Sequence, residues 1–173
     1  TTARTTQDGS FCLEVKNGET VWAEISYSIG INELEPNGAR TGGYRLGKFS
    51  FKQFARPNLD NDYPIVRLGD VHLVHAEATA RAAGNWALAL PEVNAIRARA
   101  NVASLSSLTA EQFLAERGRE MFQEASRRTD LIRFGKWSDS WWEKTNSDAY
   151  RSVFPIPTEQ LTANSSLSQN TGY

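Results

Sequence analysis

The sequence predicts a mainly α-helical fold in which antiparallel helix pairs are accompanied by a small β-hairpin and long loops. Three observations lead to this prediction. Apolar residues recur at helical spacing from Arg67 onward. An Asn-Gly pair interrupts an alternating stretch near the N-terminus, and Gly and Pro are concentrated between residues 26 and 64. With 173 residues, the chain is long enough for one well-cored domain or two small ones.

The charge balance and the single cysteine exclude several classes of function. Nineteen basic and 20 acidic residues give a net charge of −1, so the chain lacks the basic footprint of a nucleic-acid or membrane-surface binder. Cys12 cannot form an internal disulfide, and without a neighbouring His it is interpreted as a packed thiol. No apolar run reaches transmembrane length and no signal-peptide core is present. The N-terminus is polar and irregular and lacks a Met, so we expect the chain to be a fragment of a longer protein.

Residues 11–25 predict the β-hairpin. Asn17 and Gly18 favour a two-residue turn, because both central positions of that turn need positive φ. Such a turn sets the register, placing Lys16 opposite Glu19 and Leu13 opposite Trp22. Beyond it we expect long loops around a short strand near residues 44–51.

Two Ala-rich helical segments meet at a two-residue turn, Gly84-Asn85. The first begins at Arg67, and the second has Asn85 as its N-cap and contains Pro91, which should kink it. A turn this short requires antiparallel neighbours, and small side chains let the axes approach closely. The apolar stripes are Val71, Val74, His75, Ala78 and Ala82 in the first helix, and Trp86, Leu90, Val93, Ile96 and Ala100 in the second.

A capping box at residues 109–112 predicts a third helix, which should end near residues 125–128 and be followed by a helical turn at 130–134. Charges of both signs lie among its apolar residues. An arginine on an apolar stripe must find a carboxylate, so we interpret the charges as an ion-pair network that fixes the helix register. A catalytic pair of Glu120 and Glu124 is disfavoured, because residues four apart on one helix point the same way and not across a cleft.

Three tryptophans crowd into a polar loop predicted at residues 135–150. Flat rings with a polar edge suit stacking against a sugar or gripping a protein partner. The alternative is a small satellite core that pins the loop. We take Trp137, Trp141 and Trp142, together with Tyr44 in the Gly-rich region, as candidate ligand contacts.

No metal, phosphate or nucleic-acid site is predicted. His72 and His75 lie three residues apart on the first helix, but a structural metal site needs four ligands, and the chain has no third His and no second Cys. His75 is instead interpreted as a hydrogen-bonded core histidine. The chain has neither a Gly-rich phosphate loop nor a nucleophile elbow, and no cofactor is expected.

Several segments occur in a fixed order in the second part of the chain. They are YRLGKF, NDYPIVRLGDVHLVHAEATAR, ALPEVNAIRARA, ERGREMFQEASRRTDLIRFGKW, FPIPTEQL and the terminal QNTGY. Together they resemble the C-terminal portion of the RagB/SusD-like family of outer-membrane nutrient-binding lipoproteins. The resemblance covers residues 44–173 and implies a largely helical domain with tetratricopeptide-like helix pairs. Residues 1–43, an irregular segment with the β-hairpin, are expected to complete a part of the protein that lies upstream.

The resemblance implies binding and not catalysis, so no enzyme is expected. Proteins of this family lie at the outer face of Bacteroidetes outer membranes, held by a lipid on an N-terminal cysteine. They deliver oligosaccharides, or other nutrients, to a SusC-like TonB-dependent transporter. The lipidated cysteine is expected upstream, and its role is not transferred to Cys12. The alternative function is a helical-repeat module that binds a protein partner and has no sugar site of its own.

The resemblance also implies structural roles for charged positions, in agreement with the ion-pair interpretation. In this interpretation the charges hold helices together and take no part in recognition. The positions are Arg67, Asp70, Glu77, Arg97, Glu116, Arg117, Glu120, Glu124, Asp130 and Arg133.

Overall fold

The computed structural model describes residues 11–16, 19–24, 28–31, 38, 42–43, 48–49 and 62–173. The chain divides into two compact units, residues 1–61 and residues 62–173. The described elements are β1 (Phe11–Lys16), β2 (Glu19–Glu24), α1 (Leu68–Ala83), α2 (Leu90–Arg99), α3 (Ala110–Glu120), α4 (Arg127–Arg133) and α5 (Thr158–Ala163), with 3₁₀ turns at Trp86–Ala89 and Ala149–Ser152. The mainly helical class predicted from the sequence is confirmed.

The first unit contains the predicted hairpin. Strands β1 and β2 pair antiparallel in the expected register, with Lys16 opposite Glu19 and Leu13 opposite Trp22. The two turn residues lie outside the described residues, as does most of the strand predicted near residues 44–51. The described part of that segment, residues 48–49, lies in a bend.

Helix α1 has the predicted bounds but buries a different face. Gly84, with φ of 60°, ends the helix in the left-handed conformation that glycine adopts without strain. Leu73, Ala76 and Ala80 are buried, whereas the predicted stripe is exposed, so the prediction of a core histidine at His75 is wrong. The side chain of His75 lies at the surface, with Nδ1 on the carboxylate of Glu92. Periodicity failed here because α1 is apolar on two faces, and only its neighbours decide which one is covered.

The second helical segment begins with Asn85, whose Oδ1 accepts a hydrogen bond from the backbone N–H of Ala87 at 3.1 Å. A single 3₁₀ turn follows, and the α-helix proper starts at Leu90. Pro91 therefore occupies the first turn of α2, where its missing N–H costs nothing, and does not kink a continuous helix as predicted.

Phe113 lies at the centre of the core that joins α1, α2 and α3. Its ring is fully buried among Leu73, Val93 and small residues of α1, and it lies 5.2 Å from the ring of Trp86. Burying a phenylalanine completely contributes about 2–3 kcal/mol. The core residues are Leu73, Ala76, Ala80, Ala89, Val93, Leu108, Phe113 and Met121.

Helix α3 begins at the predicted capping box but ends early. Gln112 Oε1 accepts from the N–H of Thr109 at 2.8 Å, and Thr109 Oγ1 accepts from the N–H of Gln112 at 3.2 Å. The helix stops at Glu120 and not near residues 125–128. Beyond it, Gln123 and Ala125 adopt positive φ, which an α-helix cannot contain, and Arg67 Nη2 donates to the Glu120 carbonyl at 2.7 Å. Helix α4 then resumes after a turn at 121–126, earlier than the predicted helical turn.

Candidate functional site

All ten predicted scaffold charges take part in ion pairs in the structure. Arg67 donates from Nε to Glu124 at 2.6 Å, from Nη2 to Glu124 at 2.8 Å and from Nη1 to Glu120 at 2.5 Å. The hydrogen bonds that Arg67 donates to Glu124 and Glu120 hold the pKa of Arg67 above its usual value, against the opposing effect of burial. Both glutamates therefore serve as acceptors for a guanidinium that connects the start of α1 to the end of α3.

A second group of charges lies deeper, around Arg117. Arg117 Nε donates to Asp130 Oδ1 at 2.7 Å, and the same oxygen accepts from Arg133 Nη2 at 2.8 Å. Arg117 Nη1 lies 2.9 Å from Asp70 Oδ1, an ion pair without hydrogen-bond geometry. Arg117 and Asp130 are only 5% and 1% exposed, so this group connects α1, α3 and α4 inside the protein.

Glu77 forms the third group, with Arg81 and Arg133. Its Oε1 accepts from Arg81 Nε at 2.8 Å and from Arg133 Nε at 2.7 Å, and its Oε2 accepts from Arg133 Nη2 at 2.8 Å. Burial by itself would raise the pKa of Glu77, but these hydrogen bonds outweigh burial and lower the pKa below its usual value. The sequence analysis missed Arg81, although its spacing of four residues from Glu77 on one helix is the signal for such a pair.

The structure brings two of the candidate tryptophans together. The ring centroids of Trp137 and Trp141 lie 6.0 Å apart, with the ring planes tilted by 56°. Trp137 is half-buried; its Nε1 donates to the Arg151 carbonyl at 3.3 Å, and the Arg128 guanidinium lies 5.1 Å from its ring centroid. Trp137 therefore anchors the loop, and the rings available to a ligand are those further along it.

Trp141 and Trp142 lie in a tight turn. The N–H groups of Trp141 and Lys144 donate to each other's carbonyls at 3.0 and 2.9 Å, and Glu143 adopts a positive φ of 58°. Lys144 Nζ lies 4.2 Å from the Trp141 ring centroid and donates to the Asp139 carbonyl at 2.8 Å. Trp141 and Trp142 are 44% and 50% exposed. The fourth candidate, Tyr44, lies outside the described residues.

Phe154 extends this cluster and was not predicted as part of it. The ring is largely exposed, and the Arg128 guanidinium lies 4.1 Å from its centroid, between Phe154 and Trp137. The available sequence signal was an aromatic residue directly before Pro155. We call Trp137, Trp141, Trp142 and Phe154 the aromatic cluster.

The tail that carries Phe154 is docked by hydrogen bonds. Arg128 Nη2 donates to the carbonyls of Arg151 and Ser152 at 3.0 and 3.2 Å. Asn170 Nδ2 donates to the Phe154 carbonyl at 2.7 Å, and Gln169 hydrogen-bonds both the N–H and the carbonyl of Ile156. The chain end therefore closes back on residues 153–156 and holds the backbone of Phe154 in place.

Comparison with known proteins places the chain in a family. The sequence model of the SusD family matches residues 14–173. The chain belongs to the SusD family. It is similar to starch-binding protein SusD from Bacteroides thetaiotaomicron, with 33% identity over 124 residues, which cover 66% of this chain and 22% of that protein.

A solved structure also resembles the fold, at 26% sequence identity. It is surface glycan-binding protein A from Bacteroides uniformis, with a TM-score of 0.54, and the match covers 64% of this chain and 28% of that one. The chain thus spans about a quarter of the length of these two relatives. The family match begins at Glu14, so it includes most of the segment 1–43 that the resemblance did not cover.

Two properties of the described residues bear on membranes and metals in this SusD-family chain. Among the helices in the described ranges, none is both long and apolar enough to cross a membrane. Within the same ranges, no group of three or more His, Cys, Asp or Glu side chains could hold a metal ion. His72 Nδ1 lies 3.1 Å from Glu92, the carboxylate that also contacts His75.

Proposed function

We propose that the chain is part of a non-catalytic cell-surface protein that binds oligosaccharides and passes them to a TonB-dependent outer-membrane transporter. Membership of the SusD family supports this, as do the names of its two relatives, a starch-binding protein and a surface glycan-binding protein. The observation that carries the proposal is the pair of exposed indoles, Trp141 and Trp142, on a hydrogen-bonded turn.

The chemistry of the aromatic cluster suits a sugar ring. Pyranose rings present apolar C–H faces that stack on indoles, and a turn fixed by paired backbone hydrogen bonds loses little entropy when it binds. Trp137 and Arg128 hold the base of the loop, so the exposed rings keep their positions. Trp141, Trp142 and Phe154 would make the contacts, whereas Trp137 would act through Trp141; a contact from Tyr44 stays a prediction.

The two cations that contact the aromatic cluster, Lys144 and Arg128, favour a neutral sugar over an acidic one as the ligand. Lys144 Nζ donates to two carbonyls and to Ser147 Oγ, which matches the three donors of an ammonium group. Arg128 is held between two rings and two carbonyls. An acidic sugar would have to compete with these partners, while a neutral sugar needs only the open ring faces.

No catalytic role is part of the proposal. Glu120 and Glu124, the one carboxylate pair considered for hydrolysis, both accept hydrogen bonds from Arg67. In the proposed arrangement the protein is held at the outer face of the outer membrane by a lipid anchor outside this chain. Its partner there is a SusC-like transporter, and co-purification with a large outer-membrane barrel tests that contact.

Calorimetric titration with a panel of neutral and acidic oligosaccharides tests the sugar site. Trp142→Ala removes an exposed stacking surface and should weaken binding about five- to tenfold, the equivalent of roughly 1–1.5 kcal/mol. Leu88→Ala is the matched control, since Leu88 is a similarly exposed apolar residue outside the aromatic cluster, and its substitution should leave affinity unchanged. The proposed site is wrong if Trp141→Ala and Trp142→Ala both retain full affinity, and the function is wrong if no saccharide binds.

A further inference from the structure

The loop that presents the exposed tryptophans is closed at two levels. At its base, the N–H of Ser147 donates to the Ser138 carbonyl at 3.0 Å. Near its tip, Trp141 and Lys144 exchange a pair of backbone hydrogen bonds of 3.0 and 2.9 Å. Residues 138–147 therefore form a compact loop with joined ends, a kind of loop that is typically packed by its own side chains.

The side chain of Lys144 connects the two arms of this loop. Its Nζ donates to the Asp139 carbonyl in the first arm at 2.8 Å. In the second arm it donates to the Thr145 carbonyl at 3.1 Å and to Ser147 Oγ at 3.3 Å. An ammonium group has three donors, so the loop itself takes all three. Lys144 is half-buried, unlike a lysine that extends freely into water.

The same ammonium group also contacts the Trp141 ring. Nζ of Lys144 lies 4.2 Å from the ring centroid, within the range of a cation–π interaction. The Trp137 centroid lies 6.0 Å from that of Trp141. The Trp141 ring therefore has two neighbours, and one of them is a charge that the backbone of its own loop holds in place.

The turn at the tip contains a strained residue and needs a restraint of this kind. Glu143 adopts a φ of 58°, a left-handed conformation that is unfavourable for a residue with a Cβ. The two backbone hydrogen bonds of an exposed turn contribute little net stability, because water competes for the same groups. Such a segment opens locally unless further contacts hold it, and those of Lys144 all depend on one side chain.

We propose that Lys144 is a positioning residue for saccharide binding: its ammonium group keeps the turn at Trp141 and Trp142 closed, so that both indoles are in their binding arrangement before a sugar arrives. This inference rests on the proposed sugar site. Lys144 itself does not contact the sugar, since its donors are used within the loop. The apparent dissociation constant of a ligand that binds only the closed turn is inversely proportional to the closed fraction, so opening the turn weakens binding.

Lys144→Met tests the proposal, because methionine keeps an unbranched apolar side chain but has no charge and no N–H donor. Lys136→Met is the matched control. Lys136 is an exposed lysine just before the loop, and its Nζ lies 3.7 Å from the Asp139 carboxylate in a surface ion pair. All variants are made in the protein as its source organism produces it. The loop lies outside the hydrophobic core, so circular dichroism and the melting temperature should be the same for both variants and the unmodified protein.

The turn and the affinity are measured separately. Without sugar, hydrogen exchange at the backbone N–H groups of residues 141 and 144 reports opening of the turn; it should be about tenfold faster in Lys144→Met and unchanged in Lys136→Met. With the oligosaccharide that binds the unmodified protein most tightly, calorimetry should show about three- to tenfold weaker binding to Lys144→Met, which corresponds to a closed fraction of roughly 10–30%. The loss should lie mainly in the binding entropy, because the turn must now close on binding.

Glu143→Gly distinguishes positioning from direct contact. Glycine adopts a positive φ without strain, so this change should favour the closed turn. In the Lys144→Met background it should therefore slow hydrogen exchange and recover part of the lost affinity. A lysine that touched the sugar could not be replaced by a change at its neighbour.

Several results would overturn the proposal. One is full affinity in Lys144→Met, with or without faster exchange. Weaker binding without faster exchange, or a loss that Glu143→Gly does not reduce, would make Lys144 a direct sugar contact instead. If the unmodified protein binds no saccharide, the proposed function fails, and the role of Lys144 in binding fails with it. If the unmodified protein binds and Lys144→Met binds equally well, only the positioning role fails.

Discussion

Asp130→Ala is the sharpest test of the charged scaffold. Asp130 is almost fully buried, and its Oδ1 accepts hydrogen bonds from both Arg117 and Arg133. The substitution leaves Arg117 buried with only the ion pair to Asp70. Removing one partner of a buried pair costs about 3–5 kcal/mol. Because Asp70 still compensates part of the charge of Arg117, we expect the lower end of that range, about 3 kcal/mol.

Urea unfolding followed by circular dichroism at 222 nm measures this cost, since the affected helices dominate that signal. Asp148→Ala is the control, because Asp148 is exposed and lies 4.0 Å from Arg151 in a surface pair. Such a pair is worth only about 0–1 kcal/mol. An Asp130→Ala variant as stable as Asp148→Ala would refute the assignment of Arg117 and Asp130 to the scaffold. So would a fully folded Asp130→Ala variant that selectively loses saccharide affinity.

Two further predictions concern the pH dependence of stability and the end of α1. The pKa of Glu77 is lowered in the folded protein, so its contribution to stability is complete above its ordinary pKa of about 4.5 and is lost as pH falls through the folded value. Glu77→Gln should therefore have a lower free energy of unfolding than the unmodified protein at pH 7, and this difference should become smaller below pH 4.5. A difference in the free energy of unfolding that stays constant down to pH 2 would contradict the prediction. Gly84→Ala should lower the free energy of unfolding by about 1 kcal/mol, because Gly84 has a positive φ that alanine adopts only with strain. No atom lies within contact distance of an added Cβ, so the backbone conformation is the only cause of this loss. Thermal melts should show a smaller loss for Gly84→Asn, since asparagine tolerates that conformation, and equal losses would show that the backbone is not the cause.

Local chemistry allowed several elements to be predicted from the sequence. The hairpin register follows from the length of its turn, and the start of α3 follows from two side chains that cap it three residues apart. The end of α1 follows from Gly84, which can take the left-handed conformation without strain. In each case the deciding residues are neighbours in sequence, so no distant part of the chain was needed.

Other features depended on residues far apart in sequence. The partner of the Glu120 carbonyl at the end of α3 is Arg67, which lies 53 residues earlier in the sequence. The position of Arg128 between Trp137 and Phe154 depends on the return of the C-terminal tail. Sequence spacing could nominate the tryptophans, but it could not show that Trp137 is an anchor while Trp141 and Trp142 remain open.

The sequence by itself determined the helical class, most element starts and the fact that charges such as Arg117 must be paired. It could do so because helix periodicity, capping and the cost of an unpaired buried charge act over a few residues or on a single side chain. Only the tertiary structure decided which carboxylate meets which arginine and which face of α1 is covered. The local sequence does not distinguish two apolar faces of the same helix, so the helices that pack against α1 determine which face is buried.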